Sequence, residues 1–313
     1  MIRSSLLVIS CVFLLCLTIS LHGAENPVPS SQSKAVIDVY PNLTLVILYY
    51  ATISELADGT VLKSGDLVVT EKDIEEQKAT IREDLQDQAD KNRIFLLEQL
   101  VTEKLVVSEA KKILATNGGE VTATNDGTIV QLYINRLAEQ IEVDDESIVT
   151  YYQENKDLIG DSALRDVSDQ IRALLAQQML QALVTENTET IGQRIGIQIS
   201  DSWLEENAAL SQDNPVGKAR ANGRISLVDF SSNTCEPCVL MAPVLEALKE
   251  KFEGKYDVIT IDADKEPILA MRYGISAVPT QIFFDKTGKE VFRNAGFWEQ
   301  EKVEAKFTEI DAD

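Results

Sequence analysis

The spacing of apolar residues divides this chain into three parts. An unbroken run of apolar or small residues covers positions 6–21. From Thr70, apolar residues recur every three or four positions for more than a hundred residues, which predicts a series of amphipathic helices. From Pro215, short apolar runs alternate with helical patterns in the order strand, helix, strand, helix, strand, strand, helix. That order predicts a mixed sheet covered by helices.

The middle part begins with weaker signals. The apolar run 43–50, a turn at 57–60 and a later apolar run at 67–69 together predict a small strand pair. Thr70 can then cap a helix, with Asp73 in the reciprocal position. The long helices expected after it fall near 94–113, 129–141, from Asp144 onward, and 164–183. Their apolar stripes either pack against each other or bind an apolar client.

The C-terminal part is set off by a segment without apolar periodicity, 201–214, which we interpret as a linker. Asn214 followed by Pro215 predicts a helix start, and Gly223 a stop. Strands are expected near 225–230, 256–262, 280–285 and 289–293. The resulting division is 1–24 signal or anchor, 25–34 tether, 35–200 helical domain, 201–214 linker and 215–313 α/β domain.

Charge is distributed unevenly between these parts. The formal net charge is −22, but residues 215–313 hold 13 Lys and Arg against 17 Asp and Glu, so −18 falls on residues 1–214. A strongly acidic body argues against nucleic acid and anionic lipid surfaces as partners. We interpret the acidity as a source of solubility.

The apolar N-terminal run predicts that the protein leaves the cytosol. Arg3 precedes the run, and small residues follow it at Gly23-Ala24, as in a secretory signal. The run is also close to the minimum that spans a bilayer, so an uncleaved anchor at 6–21 is the alternative. Two of the four cysteines and the one histidine of the sequence, His22, lie in this segment. A mature chain would therefore lack the histidine that Ser-His-Asp catalysis, Cys-His catalysis and most zinc sites need.

Cys235 and Cys238 would then be the cysteines of the mature protein. They stand as Cys-Glu-Pro-Cys where the apolar run 225–230 meets a helical pattern. A helix N-terminus directs unpaired N–H groups at the first sulfur and favours its thiolate, and the second sulfur lies one turn away. Two thiolates without further Cys or His are poor zinc ligands, so we expect a redox dithiol with no metal and no cofactor.

Two resemblances extend this interpretation. The segments 64–74, 95–110, 143–148 and 151–156 resemble the helical domain of SurA-like periplasmic chaperones, over about residues 60–200. No parvulin domain follows, so the resemblance implies client holding and not prolyl isomerisation. Residues 215–313 resemble thioredoxin over nearly their whole length. The matching segments are Val228-Asp229-Phe230, the Cys-Glu-Pro-Cys, 241–245, 273–275, Val278-Pro279-Thr280 and Gly288.

The thioredoxin resemblance implies a role for each matched residue. Cys235 would be the attacking thiolate and Cys238 the resolving thiol. Asp229, buried below Cys238, would accept the proton of the second thiol. Pro279 corresponds to the family's cis-proline, with Val278 before it, where an extended substrate can pair.

Departures from the thioredoxin pattern modify the expected chemistry. Ser231 and Thr234 stand where the family usually has tryptophan, and Thr260 replaces a lysine near the buried acid. Glu236, which precedes Pro237, places a carboxylate beside Cys235, and this opposes the thiolate and should lower the reduction potential. The same Glu-Pro pair occurs in extracytoplasmic reductants of the family.

The sequence therefore predicts an exported thiol–disulfide oxidoreductase that acts as a reductant. Its partners would be cysteine-containing or unfolded exported proteins and a membrane or extracytoplasmic redox partner. The alternatives are a periplasmic holdase in which the thioredoxin domain is a docking module, and a permanently closed structural disulfide.

Overall fold

The N-terminal part of the protein packs long helices against a small sheet. The computed structural model describes residues 34–43, 45–116 and 125–312. The elements of this part, in chain order, are α1 (Val36–Val39), β1 (Thr52–Ser54), β2 (Thr60–Ser64), β3 (Leu67–Thr70), α2 (Glu71–Ala79), α3 (Gln86–Lys91), α4 (Arg93–Thr116), α5 (Asp126–Ala138), α6 (Asp145–Glu154), α7 (Lys156–Ile159), α8 (Leu164–Arg194) and β4 (Gln198–Ser200). The strands lie in the order β1-β4-β2-β3. The last strand of this part, β4, therefore pairs with β1 and β2 from its beginning.

The expected helices are confirmed at both the capping and the packing level. Thr70 caps α2 through its hydroxyl, which accepts from the Asp73 N–H, while Asp73 accepts from the Thr70 N–H at 2.7 Å. The apolar stripe of α4 is buried against the sheet, and its later turns pack with α5 and α8. These stripes therefore largely pack against each other.

The run 43–50 was expected to contribute a strand, but its described residues 45–50 form turns and no strand, which corrects the sequence analysis. The backbone N–H groups of Val46, Ile47 and Leu48 donate to the carboxylate of Glu98 on α4, at 2.7, 2.7 and 3.2 Å. Ile47 and Leu48 are fully buried, so the run supplies core residues. A buried carboxylate replaces a neighbouring strand as the partner of this backbone. The expected hairpin forms instead from β2 and β3.

The interpretation of 201–214 as a linker is also corrected, because this segment contains helix α9 (Asp201–Gln212). Trp203, Leu204 and Ala208 of α9 belong to the N-terminal core. The other buried positions of this helix are Asn207 and Ser211. Since polar and small residues occupy part of the buried face, the helical period does not register as an apolar stripe.

The C-terminal part forms the predicted mixed sheet with helices on both faces. Its elements are α10 (Pro215–Ala221), β5 (Ser226–Ser231), α11 (Glu236–Lys251), β6 (Asp257–Asp262), α12 (Pro267–Arg272), β7 (Thr280–Phe284), β8 (Glu290–Ala295) and α13 (Gln300–Ala312). The strand order is β6-β5-β7-β8, with β5 parallel to β6 and antiparallel to β7. Helices α11 and α13 cover one face, and α10 and α12 cover the other.

Helix α12 also contacts the N-terminal part. Ile268 packs with Ala89, Phe95 and Leu96 in one apolar cluster. The buried guanidinium of Arg272 donates to the Ser211 carbonyl oxygen at 2.6 Å. The described residues from Lys34 onward belong to one compact unit.

The expected signal or anchor, 1–24, and residues 25–33 of the tether lie outside the described residues. Within the described residues, none of the helices has the length and apolar content that a membrane span requires.

Candidate redox-active site

The two cysteines lie where strand β5 ends and helix α11 begins. Cys235 is the N-cap of α11, and its Sγ accepts the backbone N–H of Cys238 at 3.3 Å. The cysteines form a disulfide with their Cα atoms 5.2 Å apart. Cys235 is half-buried, whereas Cys238 is 2 % exposed. The sulfur of Cys235 can therefore be reached from outside, and that of Cys238 is covered by the protein.

The first turn of α11 carries the residues between the cysteines. Glu236 and Pro237 are both exposed, and the missing N–H of the proline costs nothing in a first helical turn. Cys235 at the helix start is therefore next to a carboxylate as well as to the positive end of the helix dipole. These two groups have opposite effects on a thiolate at Cys235.

The loop before β7 brings Val278 and Pro279 to the same sulfur. The Val278–Pro279 peptide bond is cis. The Val278 carbonyl oxygen lies 3.4 Å from Cys235 Sγ. The Pro279 carbonyl oxygen accepts the Gly296 N–H at 2.7 Å, which ties this loop to the end of β8. The structure thus brings Val278, a residue singled out from the sequence, into contact with Cys235.

Asp229 lies in the middle of β5 and is completely buried. Burial raises the pKa of its carboxyl from 3.8 to about 6, while the contacts with Gln281 and Ser231 and the charge of Lys249 oppose that increase. Its Oδ1 accepts from Gln281 Nε2 at 2.7 Å. Its Oδ2 is buried and receives no hydrogen bond from the described residues. A carboxyl with this pKa can exchange a proton near neutral pH.

Thr260 is the strand neighbour of Asp229 on β6. A threonine carries no charge, so the cation that acts on the acid comes from Lys249 on helix α11.

The loop between β5 and the dithiol is fixed by a second carboxylate. The Ser232 hydroxyl donates to Asp264 Oδ2 at 2.5 Å and lies 3.0 Å from the Thr234 hydroxyl. The segment that carries Asp264 also reaches the N-terminal part, because Gln88 Nε2 donates to the Lys265 carbonyl oxygen at 2.6 Å. One short segment therefore contacts both the dithiol loop and the helical part.

Gln281 and Asp264 were not identified from the sequence. Gln281 is the polar residue inside the apolar strand Thr280–Phe284, and a buried polar residue in such a strand is a usable signal for a partner. Asp264 lies in an exposed turn of mixed charge, where the sequence has no comparable signal.

The mixed sheet, the helices on both faces and the dithiol that caps α11 define a thioredoxin-fold thiol–disulfide oxidoreductase. The thioredoxin family model matches residues 210–309. A thioredoxin from Staphylococcus aureus is 38 % identical over 85 residues, which cover 27 % of this chain and 81 % of that protein. This chain belongs to the thioredoxin family.

Two solved thioredoxin structures also match part of this chain. A thioredoxin from Fasciola hepatica is 33 % identical, with 28 % of this chain and 82 % of that chain covered and a TM-score of 0.26. The thioredoxin NaTrxh from Nicotiana alata is 29 % identical, with 30 % and 80 % covered and a TM-score of 0.28. The matches concern the C-terminal part of this longer chain.

Proposed function

We propose that this protein is an extracytoplasmic reductant that transfers electrons from the Cys235–Cys238 dithiol to disulfides of exported proteins. The observation that carries the proposal is the pairing of a half-buried Cys235 at a helix start with a covered Cys238. Such asymmetry gives one sulfur access to a polypeptide and keeps the other for the second step.

The reaction proceeds in two exchange steps. The Cys235 thiolate attacks one sulfur of a client disulfide, forms a mixed disulfide and releases the other client sulfur as a thiolate. Cys238 gives its proton to Asp229, and its thiolate attacks the Cys235 sulfur. The Cys235–Cys238 disulfide forms, and the client leaves as a dithiol after it takes up protons. The enzyme loses two electrons and the client disulfide gains them.

Reduction is the favoured direction because of the groups around Cys235. Glu236 opposes the thiolate, and a less stable thiolate makes the dithiol a better electron donor. We expect a reduction potential nearer the thioredoxin value of about −270 mV than the value of about −120 mV of a strong oxidant. A membrane or extracytoplasmic redox partner must then reduce the disulfide after each turnover.

Export is supported by the N-terminal run 6–21 and by cysteine usage. If residues 1–24 are removed, the remaining cysteines are Cys235 and Cys238. A chain with no other thiol cannot form unwanted internal disulfides in an oxidising compartment. Either a cleaved signal or a retained anchor is compatible with this chemistry.

The helical part would bring clients to the dithiol, as the resemblance to SurA-like chaperones implies. Leu132, Val149, Leu174 and Met179 are large apolar side chains that are between 37 and 43 % exposed on α5, α6 and α8. Unfolded exported proteins offer complementary apolar segments. Because α12 packs against this part, a client held there is tethered to the same body as the dithiol.

Insulin reduction tests the catalytic proposal. The full chain should accelerate the reduction of insulin by dithiothreitol, and Cys235→Ser should abolish the acceleration. In Cys238→Ser, a mixed disulfide between Cys235 and the client should accumulate instead, and added dithiothreitol should cleave it. Activity that survives Cys235→Ser would show that another group is the nucleophile. A glutathione titration that returns a potential close to −120 mV would show that the domain is an oxidant.

The exposed apolar side chains also support the alternative of a holdase whose thioredoxin domain is a docking module. The test is suppression of aggregation of a client without cysteines by the full chain. Suppression that persists in Cys235→Ser and falls in Leu132→Ser/Met179→Ser would establish a holding activity independent of redox chemistry. Equal aggregation with and without the protein would exclude holding.

A further inference from the structure

Three polar residues form a line across the sheet of the C-terminal part, from β5 through β7 to β8. Asp229 on β5 lies directly opposite Gln281 on β7, and Gln281 lies directly opposite Asn294 on β8. Asp229 and Gln281 are both completely buried, and Asn294 is half-buried. Adjacent side chains in register on one face of a sheet are close enough to form hydrogen bonds. The three residues therefore connect the buried acid to the outer strand.

The direction of these hydrogen bonds is fixed by a backbone group at one end. Asn294 Nδ2 lies 3.2 Å from the Gly296 carbonyl oxygen, and a carbonyl oxygen only accepts. The same amide group donates to Gln281 Oε1 at 2.7 Å. Since its oxygen is used there, Gln281 must present its amide nitrogen to Asp229, where Nε2 donates to Oδ1 at 2.7 Å.

This fixed direction makes the two oxygens of Asp229 unequal. Oδ1 accepts from the Gln281 N–H, so a proton on Oδ1 would weaken that hydrogen bond by taking up one of the lone pairs of the oxygen. Oδ2 is buried and receives no hydrogen bond from the described residues. When Asp229 is neutral, this arrangement therefore favours the proton on Oδ2.

We propose that Gln281 is a positioning residue for thiol–disulfide exchange, which with Asn294 reserves Oδ2 of Asp229 for the proton of Cys238. This inference rests on the proposed role of Asp229 as the proton acceptor. In the second exchange step the proton leaves Cys238 Sγ for Oδ2, and the sulfur electron pair forms the new bond to Cys235. We call the two hydrogen bonds that join Asn294, Gln281 and Asp229 the relay. Without the relay, the Asp229 side chain could rotate, or it could hold its proton on the oxygen that faces Gln281.

The other groups around Asp229 act in a different way. Lys249 on α11 acts through its charge, and it is paired with Glu246 at 2.7 Å on the same helix. The Ser231 hydroxyl, two positions along the same strand, acts on the Asp229 carboxyl as a hydrogen-bond donor and lowers its pKa, and Thr260 on β6 is uncharged. None of these three residues fixes an amide direction toward Asp229. A change at Asn294, which donates to Gln281 and not to Asp229, therefore tests the relay separately.

The decisive variant is Asn294→Asp in the full chain. The new carboxylate accepts but does not donate, so the Gln281 amide should reverse and point its oxygen at Asp229. An acceptor facing Oδ1 favours the neutral acid and should raise the pKa of Asp229 by about one unit or more. Ala295→Asp is the matched control, because it adds the same charge one position along β8 on an exposed side chain.

The pKa is measured by carboxyl-carbon NMR of the disulfide form, in which neither cysteine titrates, with the Asp229 signal assigned from Asp229→Asn. A shift at least a few-fold larger in Asn294→Asp than in Ala295→Asp supports the relay. Equal shifts in the two variants overturn it. Asn294→Ala, which removes the donor without adding charge, should raise the pKa by a smaller amount, and no shift there also counts against the relay.

The second readout is the pH dependence of mixed-disulfide resolution at Cys235 in the reduced enzyme. Its midpoint should move with the pKa of Asp229 in Asn294→Asp. If the pKa moves but the resolution profile does not, the relay exists and Gln281 has no positioning role in exchange. If resolution is also unaffected by Asp229→Asn, the proposed proton acceptor itself is wrong. Neither result would contradict the proposed oxidoreductase activity, which is tested separately through Cys235.

Discussion

Replacing Asp229 by asparagine should change the pH dependence of stability in a direction set by the buried acid. The pKa of Asp229 is about 6 in the folded protein and 3.8 for the unperturbed group, so the folded protein binds more protons between these values. The acid therefore contributes fully to stability below pH 3.8, and this contribution is lost as pH rises through about 6. Asparagine has no such dependence.

The magnitude follows from the two pKa values. Linkage gives a loss of roughly 2.5 kcal/mol in the wild-type protein between pH 4 and pH 7. Asp229→Asn also changes hydrogen bonding, because its amide nitrogen would replace the unbonded Oδ2 without an acceptor. That cost, about 1–3 kcal/mol, does not depend on pH. The difference in unfolding free energy between variant and wild type should thus move by roughly 2.5 kcal/mol in favour of the variant from pH 4 to pH 7.

Guanidinium denaturation of the disulfide form measures this difference without titrating thiols. The two tryptophans report on different parts, so a Trp203→Phe background leaves Trp298, which packs in the redox part, as the probe. Asp311→Asn is the control of opposite sign. Lys286, Lys255 and Tyr256 hold the pKa of Asp311 at about 2, so its stabilising effect is present above its ordinary pKa and lost in acid. A difference for Asp229→Asn that stays constant from pH 4 to pH 7 would refute the buried-acid reasoning.

Three further predictions concern the buried contacts around this site. Glu98→Ala should lower the free energy of unfolding by about 3–5 kcal/mol, because three backbone N–H groups, two of them buried, lose their acceptor. Glu98→Gln should lower it less, and chemical denaturation measures both. Arg272→Ala should cost about 1–3 kcal/mol, because it removes the buried charged donor of the Ser211 carbonyl oxygen and leaves Asn214 Nδ2 as its donor, whereas the exposed change Lys265→Ala should be nearly neutral. Asp264→Ala, which removes the acceptor of the Ser232 hydroxyl, should speed hydrogen exchange at Thr234 and Cys235 several-fold, and unchanged exchange would show that the Ser232 bond does not hold the dithiol loop.

The α/β part was predictable because its signals are local and agree with each other. The cap at Asn214, the strand positions and the hairpin before β8 follow from turn residues and short apolar runs, and all are confirmed. Helix α9 was missed because Asn207 and Ser211 occupy its buried face. The run 43–50 was misassigned because its backbone partner, Glu98, lies about fifty residues away in the sequence and reads there as an ordinary helix-surface acid.

The residues of the site also fall into those that the sequence predicts and those that it does not. The dithiol, the buried acid and the cis-proline position come from spacing within a recognised motif, and the structure brings Cys235 to Val278 and buries Asp229 as expected. The relay through Gln281 depends on strand register, because the pairing of β5 with β7 determines that Gln281 lies opposite Asp229. Single-strand patterns can show that Gln281 is an unusual buried residue, but not that Asp229 is its partner.

The packing of α12 has a consequence for how the two parts of the protein work together. The 262–268 segment carries Asp264, which holds the Ser232 hydroxyl beside the dithiol, and Ile268, which is buried among α3 and α4 side chains. A flexible linker would let the redox part search for clients independently. Here residues 201–212 are instead a helix within the N-terminal core, and Arg272 bonds to the end of that helix. The dithiol is therefore held at one position relative to the helical part, so the client binding proposed above would lead to exchange only where a client disulfide lies within reach of Cys235.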